Sequence, residues 1–291
     1  MEALVPLGGV RQWVRLAGTA HATVPLIVLH GGPGGNHWVF ERTAGTGLEQ
    51  HRTVVYHEQR GCGRSETPPD PAAYSVQILV EDVQALIDWL GVPAVDLLGY
   101  SFGGGLALEV ARVDPERVRR VVVQAPAFHL ADPAITASQI AGLTWAASGE
   151  TADHIGRLDL LDPDAQLDAL WSLVDTEAVD RFLFQSAFHA RRNRNGWEES
   201  GLVNTGELAR ALRLQSGPEV VEALHDLRVP VLVVSGRHDR NVPLSHTRRV
   251  AEQLPQAKLV VFEHSAHFPD IEETGLFVET VLGFLEASPC C

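Results

Sequence analysis

The sequence predicts an α/β fold: a mostly parallel, doubly wound sheet with a helical cap inserted between two core strands. Short apolar runs alternate with helical patterns over the first 128 residues and again after residue 217. Continuous apolar strands that alternate with helices are typical of a parallel sheet covered on both faces. Between these two stretches the strand pattern stops. We therefore expect a core of residues 1–128 and 218–291 and a cap of residues 129–217.

Apolar runs in the first stretch predict strands at residues 26–30, 53–56, 94–98 and 118–123. A helix over residues 76–90 is predicted because Leu79, Val83 and Leu86 recur at three- and four-residue spacing. Gly91 follows directly and is a normal helix-ending residue. A second helix is predicted over residues 104–113.

The closing stretch repeats the strand and helix alternation, with strands predicted at residues 229–234 and 258–262 and helices at 244–254 and 274–285. The cap differs because its helix-like segments are rich in aromatic residues, namely Trp145, Trp171, Phe182, Phe184, Phe188 and Trp197. Most such aromatics pack in a core, but some can line an apolar pocket. We select Trp145 and Phe184 as candidate substrate contacts.

Charge and hydropathy exclude several classes of protein. The 291 residues carry 23 Lys plus Arg and 37 Asp plus Glu, which gives a net charge of −14. A protein this acidic repels a phosphate backbone, so we expect no nucleic-acid partner. No apolar run approaches the roughly 18 residues of a membrane helix, and the first residues do not resemble a signal peptide. We therefore expect no membrane partner.

The cysteines and histidines bear on the cellular compartment and on metal binding. The chain has three cysteines, and two of them, Cys290 and Cys291, are adjacent. An odd number with this spacing argues against a disulfide framework and indicates a reducing compartment, so we expect a cytoplasmic protein. The histidines show no metal-ligand spacing, so we expect neither a metal nor another cofactor. The oligomeric state is not readable from the sequence.

One short motif predicts a nucleophile. Residues 99–103 read Gly-Tyr-Ser-Phe-Gly and fit Gly-x-Ser-x-Gly. An apolar strand leads into the motif and a helix follows it, which is the strand–turn–helix context that a nucleophile elbow requires. The turn exposes the hydroxyl of Ser101, and the flanking glycines let the strand and helix pack closely. The alternative is a glycine-rich turn in which Ser101 only caps the helix.

Two further residues complete a candidate triad. A serine needs a base, and in this arrangement the acid and then the histidine follow the serine along the chain. Asp239 and His267 each come just after a predicted strand, where open parallel sheets build their sites. We expect Ser101 to attack, His267 to carry its proton and Asp239 to orient the imidazole. His238 and His264 are competing histidines that we assign to loop positions.

A glycine-rich loop predicts the oxyanion hole. Two backbone N–H groups must point at the oxygen of the tetrahedral intermediate. Residue Phe102, directly after the nucleophile, supplies one of them. The loop after the first strand reads His-Gly-Gly-Pro-Gly-Gly over residues 30–35, and we select Gly32 as the second donor.

These segments together resemble the α/β-hydrolase superfamily and, within it, the proline iminopeptidase family. Residues 30–34 match that family's oxyanion motif, and residues 58–65 look like its Asp-Gln-Arg-Gly-x-Gly-x-Ser segment with Glu58 in place of Asp. The cap also lies where that family carries one. The resemblance implies the triad above and an activity that releases an N-terminal proline or another residue from short peptides.

One departure from the family concerns the recognition of a substrate amine. Iminopeptidases hold the free α-amine with acidic residues, whereas Arg240 follows the acid here and would repel an ammonium group. Acidic residues of the cap that are possible amine partners are Asp175, Glu177, Glu198, Glu199, Glu207 and Glu219. We select Glu198 and Glu219 first.

Several functions therefore compete. The leading hypothesis is a serine hydrolase that acts through an acyl-enzyme on a small molecule or short peptide, as a proline iminopeptidase. An esterase, a lactonase or an acyltransferase is the alternative within enzymes. A non-catalytic protein that uses the fold to bind a ligand is a separate class, because fold does not imply function. Dehalogenases and epoxide hydrolases are disfavoured because they place Asp where Ser101 stands.

Overall fold

The computed structural model describes residues 1–127, 132–147, 155, 162–213 and 224–287. The strands in this part of the chain are β1 (Glu2–Leu7), β2 (Val10–Ala17), β3 (Leu26–Leu29), β4 (Val54–His57), β5 (Val95–Tyr100), β6 (Val118–Gln124), β7 (Val231–Gly236) and β8 (Ala257–Phe262). They form one sheet in the order β1-β2-β4-β3-β5-β6-β7-β8. The pairs β1–β2 and β2–β4 are antiparallel and the other neighbours are parallel. The predicted, mostly parallel α/β sheet is confirmed.

The helices of the described ranges are α1 (Trp38–Arg42), α2 (Ala44–Glu49), α3 (Val76–Leu90), α4 (Phe102–Val113), α5 (Pro133–Ala146), α6 (Pro163–Leu173), α7 (Thr176–Leu183), α8 (Ala187–Ser200), α9 (Glu207–Arg213), α10 (Leu244–Gln253), α11 (Pro269–Glu272) and α12 (Thr274–Glu286). Single-turn 3₁₀ helices span Thr19–His21 and Pro71–Ala73. Among these helices, none is both long and apolar enough to cross a membrane.

Helix α3 has the bounds that its sequence predicts, because both of its ends are capped. The hydroxyl of Ser75 accepts the N–H of Ile78, which satisfies one of the unpaired donors of the first turn. Gly91 closes the helix with φ 64°, a left-handed conformation that glycine adopts without steric cost.

The two N-terminal strands lie outside the predicted elements. They form a hairpin through Gly8 and Gly9, whose φ angles of 53° and 80° suit the tight turn between right-twisted strands. A Gly-Gly pair between two β-rich runs is the signal that identifies such a hairpin. Because β2 then pairs antiparallel with β4, the hairpin extends the sheet at one edge.

Side chains of the central strands alternate between two apolar layers. Leu26 and Val28 pack with α1, α2 and α12 on one face of the sheet. Ile27 and Leu29 pack with α3 and α4 on the other. All four are fully buried, as expected for a parallel sheet with helices on both faces.

Helices α5–α9 make up what we call the inserted segment, which lies in the chain between β6 and β7. Its described residues, 132–147 and 162–213, contain no strand. Leu143, Leu170 and Phe182 are fully buried in an apolar cluster of the segment's own. Because β6 and β7 are parallel neighbours, the chain leaves the sheet after Gln124 at its carboxyl edge and re-enters it at Val231, which pairs with Val121, toward the opposite edge.

Candidate active site

Ser101 lies in a sharp turn between β5 and α4. Its φ of 54° and ψ of −124° put it in the left-handed half of backbone space, where a non-glycine residue is strained. Only glycine fits at the flanking positions of the motif. A Cβ on Gly99 would overlap the carbonyl of Gly103. A Cβ on Gly103 would in turn overlap the carbonyl of Leu29. The motif therefore forms the tight strand–turn–helix that the sequence predicts.

The structure brings Asp239 and His267 together at the ends of β7 and β8. Nδ1 of His267 donates to Oδ2 of Asp239 at 2.8 Å. Oδ1 of Asp239 accepts the backbone N–H groups of Asn241 and Val242, each at 2.9 Å. Both side chains of the pair are buried. With Nδ1 acting as donor, Nε2 is the nitrogen that can accept a proton.

Ser101 and His267 line one cavity of about 430 Å³. Nε2 of His267 meets the side-chain amide of Asn241, whose Nδ2 lies 3.2 Å away. Oδ1 of Asn241 in turn accepts from Nε2 of Gln139 in α5 at 2.7 Å. The imidazole thus faces the cavity with an amide at its free nitrogen.

Both predicted oxyanion residues, Gly32 and Phe102, line the same cavity. Phe102 opens α4, so its N–H has no partner within the helix. The glycine loop runs against the elbow, since a Cβ on Gly31 would lie 3.0 Å from the Cβ of Ser101. This close approach explains the glycine at residue 31.

Residues 58–65 form hydrogen bonds that hold the glycine loop in place. Nε2 of Gln59 donates to the carbonyl of His30, and the Gln59 N–H donates to Nε2 of His30. The carboxylate of Glu58 accepts the N–H of His37 at the other end of the loop and also binds Arg64. Glu58, which replaces the family's Asp, therefore still holds the loop in place.

Buried histidines around this loop stay neutral. Burial lowers the pKa of His57 to about 3, and it also lowers the pKa values of His30 and His37. A neutral imidazole can accept a hydrogen bond, as His30 does from Gln59. Burial raises the pKa of the Cys62 thiol, which fits a packing role better than a nucleophilic one.

The family of this chain follows from its similarity to known protein families. A family model described as alpha/beta hydrolase fold matches residues 24–274. The chain belongs to the α/β-hydrolase fold family. The match spans β3 to the start of α12 and so includes every residue of the candidate triad.

Individual relatives are similar over nearly the whole chain. A proline iminopeptidase from Lactobacillus delbrueckii subsp. bulgaricus is 28% identical, over 98% of this chain and 97% of that protein. A 2-hydroxymuconate semialdehyde hydrolase from Pseudomonas sp. (strain CF600) is 30% identical, over 91% of this chain and 87% of that protein. The crystal structure of a proline iminopeptidase-related protein from Thermus thermophilus matches with a TM-score of 0.78 and 29% identity, over 97% of this chain and 95% of that chain.

These relatives confirm two predictions about this α/β hydrolase. The resemblance to proline iminopeptidases is confirmed by the similarity to a proline iminopeptidase at 28% identity and to a proline iminopeptidase-related protein at 29% identity. An enzyme of the serine-hydrolase class, of aminopeptidase or esterase type, is confirmed as well.

The described cavity lining is mostly apolar and neutral. Its polar side chains outside the candidate triad are Asn36, Tyr100, Gln139, Trp171, Asn193, Trp197, Asn204, Asn241 and Asp270. Its larger apolar side chains are Val39, Phe40, Phe102, Ile135, Leu167, Leu183, Val242, Phe268 and Ile271. Within this lining Asp270 is the one carboxylate besides the triad, and no Lys or Arg contributes.

Three of the four predicted substrate contacts, Glu198, Trp145 and Phe184, do not line the cavity. Glu198 is exposed on α8, and Trp145 is 59% exposed on α5; neither lines the cavity. Phe184 is buried and stacks on Phe268 with ring centroids 5.0 Å apart, so it supports the lining from behind. Glu219 lies outside the described residues.

Arg240 does not face the cavity, although it follows the acid directly. Its guanidinium stacks on the ring of Trp145 at 3.9 Å, and its Nη1 donates to the carbonyl of His238. The positive charge is therefore directed toward α5 of the inserted segment. The predicted repulsion of a substrate ammonium does not follow from this geometry.

Asp270 is a pocket residue that the sequence analysis does not identify. It follows the histidine by three residues, and Nε2 of Gln124 donates to its Oδ1 at 2.8 Å. Among the described residues its side-chain hydrogen-bond partner is thus a neutral amide, and burial raises the pKa of its carboxyl to about 6. In the sequence, only its position three residues after His267 points to it.

We expect Asp270→Asn to change how stability depends on pH. The raised pKa means that the native state holds its proton more tightly than the unfolded chain, so wild-type stability falls as pH rises from about 4 to about 6. The neutral amide removes this loss, so the variant should gain about 2–3 kcal/mol on wild type between pH 4 and pH 7. Urea denaturation across this range measures it, with the exposed Glu199→Gln as control. A difference that does not vary with pH would contradict the prediction.

Proposed function

We propose that this α/β hydrolase cleaves small acyl substrates through an acyl-enzyme, with Ser101, His267 and Asp239 as its triad. Oγ of Ser101 attacks the acyl carbon and its proton passes to Nε2 of His267. The tetrahedral oxyanion is stabilised by the N–H groups of Gly32 and Phe102. Collapse expels the leaving group, which takes the proton from Nε2. Water then attacks the acyl-enzyme by the same route and releases the acid.

The 2.8 Å contact between Asp239 and His267 at the rim of the cavity that holds Ser101 is the observation that carries this proposal. Asp239 fixes the imidazole with Nε2 toward the cavity. The charge on Asp239 also stabilises the imidazolium that forms in the transition state.

The neutral lining supports an ester or lactone with an uncharged acyl group as the substrate. Burying a substrate ammonium requires an acidic partner, because an unpaired buried charge costs several kcal/mol. Among the described lining residues Asp270 alone offers a carboxylate outside the triad, and burial favours its neutral form. Leu167, Leu183 and Ile135 instead present apolar surface to the acyl group.

Release of an N-terminal proline is the second candidate. Similarity to a proline iminopeptidase over 98% of the chain favours it. In that case Asp270 or an acidic residue of the inserted segment, Glu219 first, would pair with the substrate amine.

We further propose that the inserted segment, as a cap domain near residues 129–217, sets the choice of substrate. All five of its described helices contribute to the lining of the cavity: Gln139 in α5, Leu167 in α6, Leu183 in α7, Asn193 in α8 and Ala209 in α9. The triad and the glycine loop instead come from the core. The core thus supplies the catalytic groups, and the inserted segment supplies the residues that select the substrate.

A substrate panel tests the choice between the two candidates. Short-chain p-nitrophenyl esters and small lactones are compared with proline p-nitroanilide, using wild type, Asp270→Asn, Glu219→Gln and Glu198→Gln. We expect ester or lactone cleavage to exceed anilide cleavage by at least about tenfold in kcat/KM, which corresponds to about 1.4 kcal/mol. The exposed Glu198→Gln serves as the matched control.

The opposite pattern would select the iminopeptidase. Preferred cleavage of the anilide, together with a loss confined to that substrate in Asp270→Asn or Glu219→Gln, would overturn the esterase assignment. Cleavage of neither class, without labelling by a fluorophosphonate, would overturn the proposed triad itself.

A further inference from the structure

We propose that Asn241 is a positioning residue for His267, and that Gln139 of the inserted segment holds Asn241 in its working orientation. The proposal rests on the triad of the proposed function. It adds a chain of hydrogen bonds that runs from Gln139 in α5 through the side-chain amide of Asn241 to Nε2 of His267.

Asn241 is fixed on three sides. Its backbone N–H donates to Oδ1 of Asp239 at 2.9 Å, so the residue moves with the acid. Its Oδ1 accepts from Nε2 of Gln139 at 2.7 Å. Its Nδ2 is thereby directed to Nε2 of His267, 3.2 Å away. Gln139, Asn241 and His267 all line the cavity.

The direction of these hydrogen bonds indicates the protonation state of His267. An amide N–H can donate to Nε2 only when that nitrogen carries a lone pair. Since Nδ1 donates to Asp239, the arrangement stabilises the tautomer that can take a proton from Ser101. Asn241 thus favours the neutral imidazole in the free enzyme. When Ser101 gives up its proton, the lone pair is used and the Asn241 N–H must turn away, toward the leaving group or solvent.

Gln139 makes this arrangement depend on the inserted segment. The neighbouring Ser138 also anchors α5 to the same loop, through a 2.8 Å hydrogen bond to the carbonyl of Arg240. The carbonyl of Leu183 at the end of α7 accepts the N–H of His267 itself at 3.0 Å. Helices of the inserted segment therefore hold both the base and the amide beside it.

The charged groups that the structure places near His267 can be separated in an experiment. Glu272 accepts the backbone N–H of the residue before His267, and Arg240 interacts electrostatically with Asp239. Asp239 contacts Nδ1 of His267, and Asp270 lies close enough to interact with the imidazole electrostatically. Because burial raises the pKa of Asp270 to about 6, its own titration falls in the range to be measured. The Asp270→Asn background removes that contribution.

The experiment measures the rate of covalent labelling by a fluorophosphonate probe from pH 5 to pH 9, which needs no knowledge of the substrate. In wild type the rate should rise with pH as the base loses its proton. Asn241→Leu removes a hydrogen bond to the neutral imidazole, so the midpoint should move upward by about 0.5–1 pH unit. Gln139→Leu should also move it upward. This substitution removes the donor that holds Oδ1 of Asn241, so the amide can turn Oδ1 toward Nε2, which favours the protonated base.

Two controls separate positioning from general damage. Asn193→Leu removes another amide of the same cavity, from α8, and should leave the midpoint unchanged. Melting temperatures show which variants fold, and Gln139→Leu, altered in a half-buried helix residue, decides the question if Asn241→Leu does not fold.

The outcomes distinguish this inference from the proposed function. If Ser101→Ala is labelled as fast as wild type, the triad fails and the inference fails with it. If labelling requires Ser101 but the midpoints of folded Asn241→Leu and Gln139→Leu coincide with wild type in the Asp270→Asn background, only the positioning role is overturned. An equal shift in Asn193→Leu would overturn it as well.

Discussion

Ser101→Ala is expected to lower kcat by about four to six orders of magnitude while the protein stays folded. The loss follows because no other group at the elbow can form the acyl-enzyme, and the oxyanion donors and the cavity supply only the residual rate. The fold should persist because alanine adds no atom to the strained turn and removes only a hydroxyl. Steady-state kinetics on the best substrate of the panel, with melting temperature alongside, measure both effects.

Ser172→Ala is the matched control, since its hydroxyl only bonds the carbonyl of Ala169 on the exposed side of α6. It should keep wild-type kcat. If Ser101→Ala retained more than a few percent of activity, a covalent serine mechanism would no longer hold.

Asp239→Asn is expected to lower kcat by about four orders of magnitude. An amide in place of the carboxylate can donate to Nδ1 of His267, which reverses the hydrogen bond and moves the imidazole proton to Nε2. The base is then unable to accept from Ser101, and the charge that stabilises the imidazolium is also lost. The loop should keep its shape, because the remaining amide oxygen can still accept from Asn241 and Val242.

The measurement compares single-turnover acylation rates of Asp239→Asn and wild type at several pH values. Asp175→Asn is an isosteric control: that side chain caps α7 through the Ala178 N–H, and asparagine caps equally well. An Asp239→Asn rate within about tenfold of wild type would rule out the assigned role of the acid.

The sequence predicts best those features of this molecule that depend on residues close together in the chain. Helix α3 could be placed to the residue because its apolar periodicity, serine cap and terminal glycine are all local. The elbow at Ser101 was predictable from its short motif, although only Gly99 avoids a clash with a residue nearby in the chain, namely Gly103. Gly103 avoids a clash with the neighbouring strand β3. The N-terminal hairpin carried a local signal as well, in Gly8 and Gly9.

The cavity lining could not be predicted in the same way. Helix α5 has apolar residues on every side, so periodicity does not say that Gln139 faces the base while Trp145 turns to Arg240. Phe184 and Phe268 are far apart in the chain, and their stacking depends on how the inserted segment sits on the sheet. Contacts of this kind are tertiary, and a single sequence does not specify them.

The attachment of the inserted segment has a consequence for how such enzymes diversify. The segment lies between β6 and β7, which are adjacent parallel strands, so it belongs to a crossover connection that returns from the carboxyl edge to the amino edge of the sheet. An exchange of the whole segment would therefore leave the sheet's connections intact. Loop closure adds only about 0.6 kcal/mol for each doubling of length, so longer or shorter replacements would close nearly as well. A graft would still have to supply two groups to the recipient core: a carbonyl where Leu183 now meets the base, and an amide where Gln139 now meets Asn241.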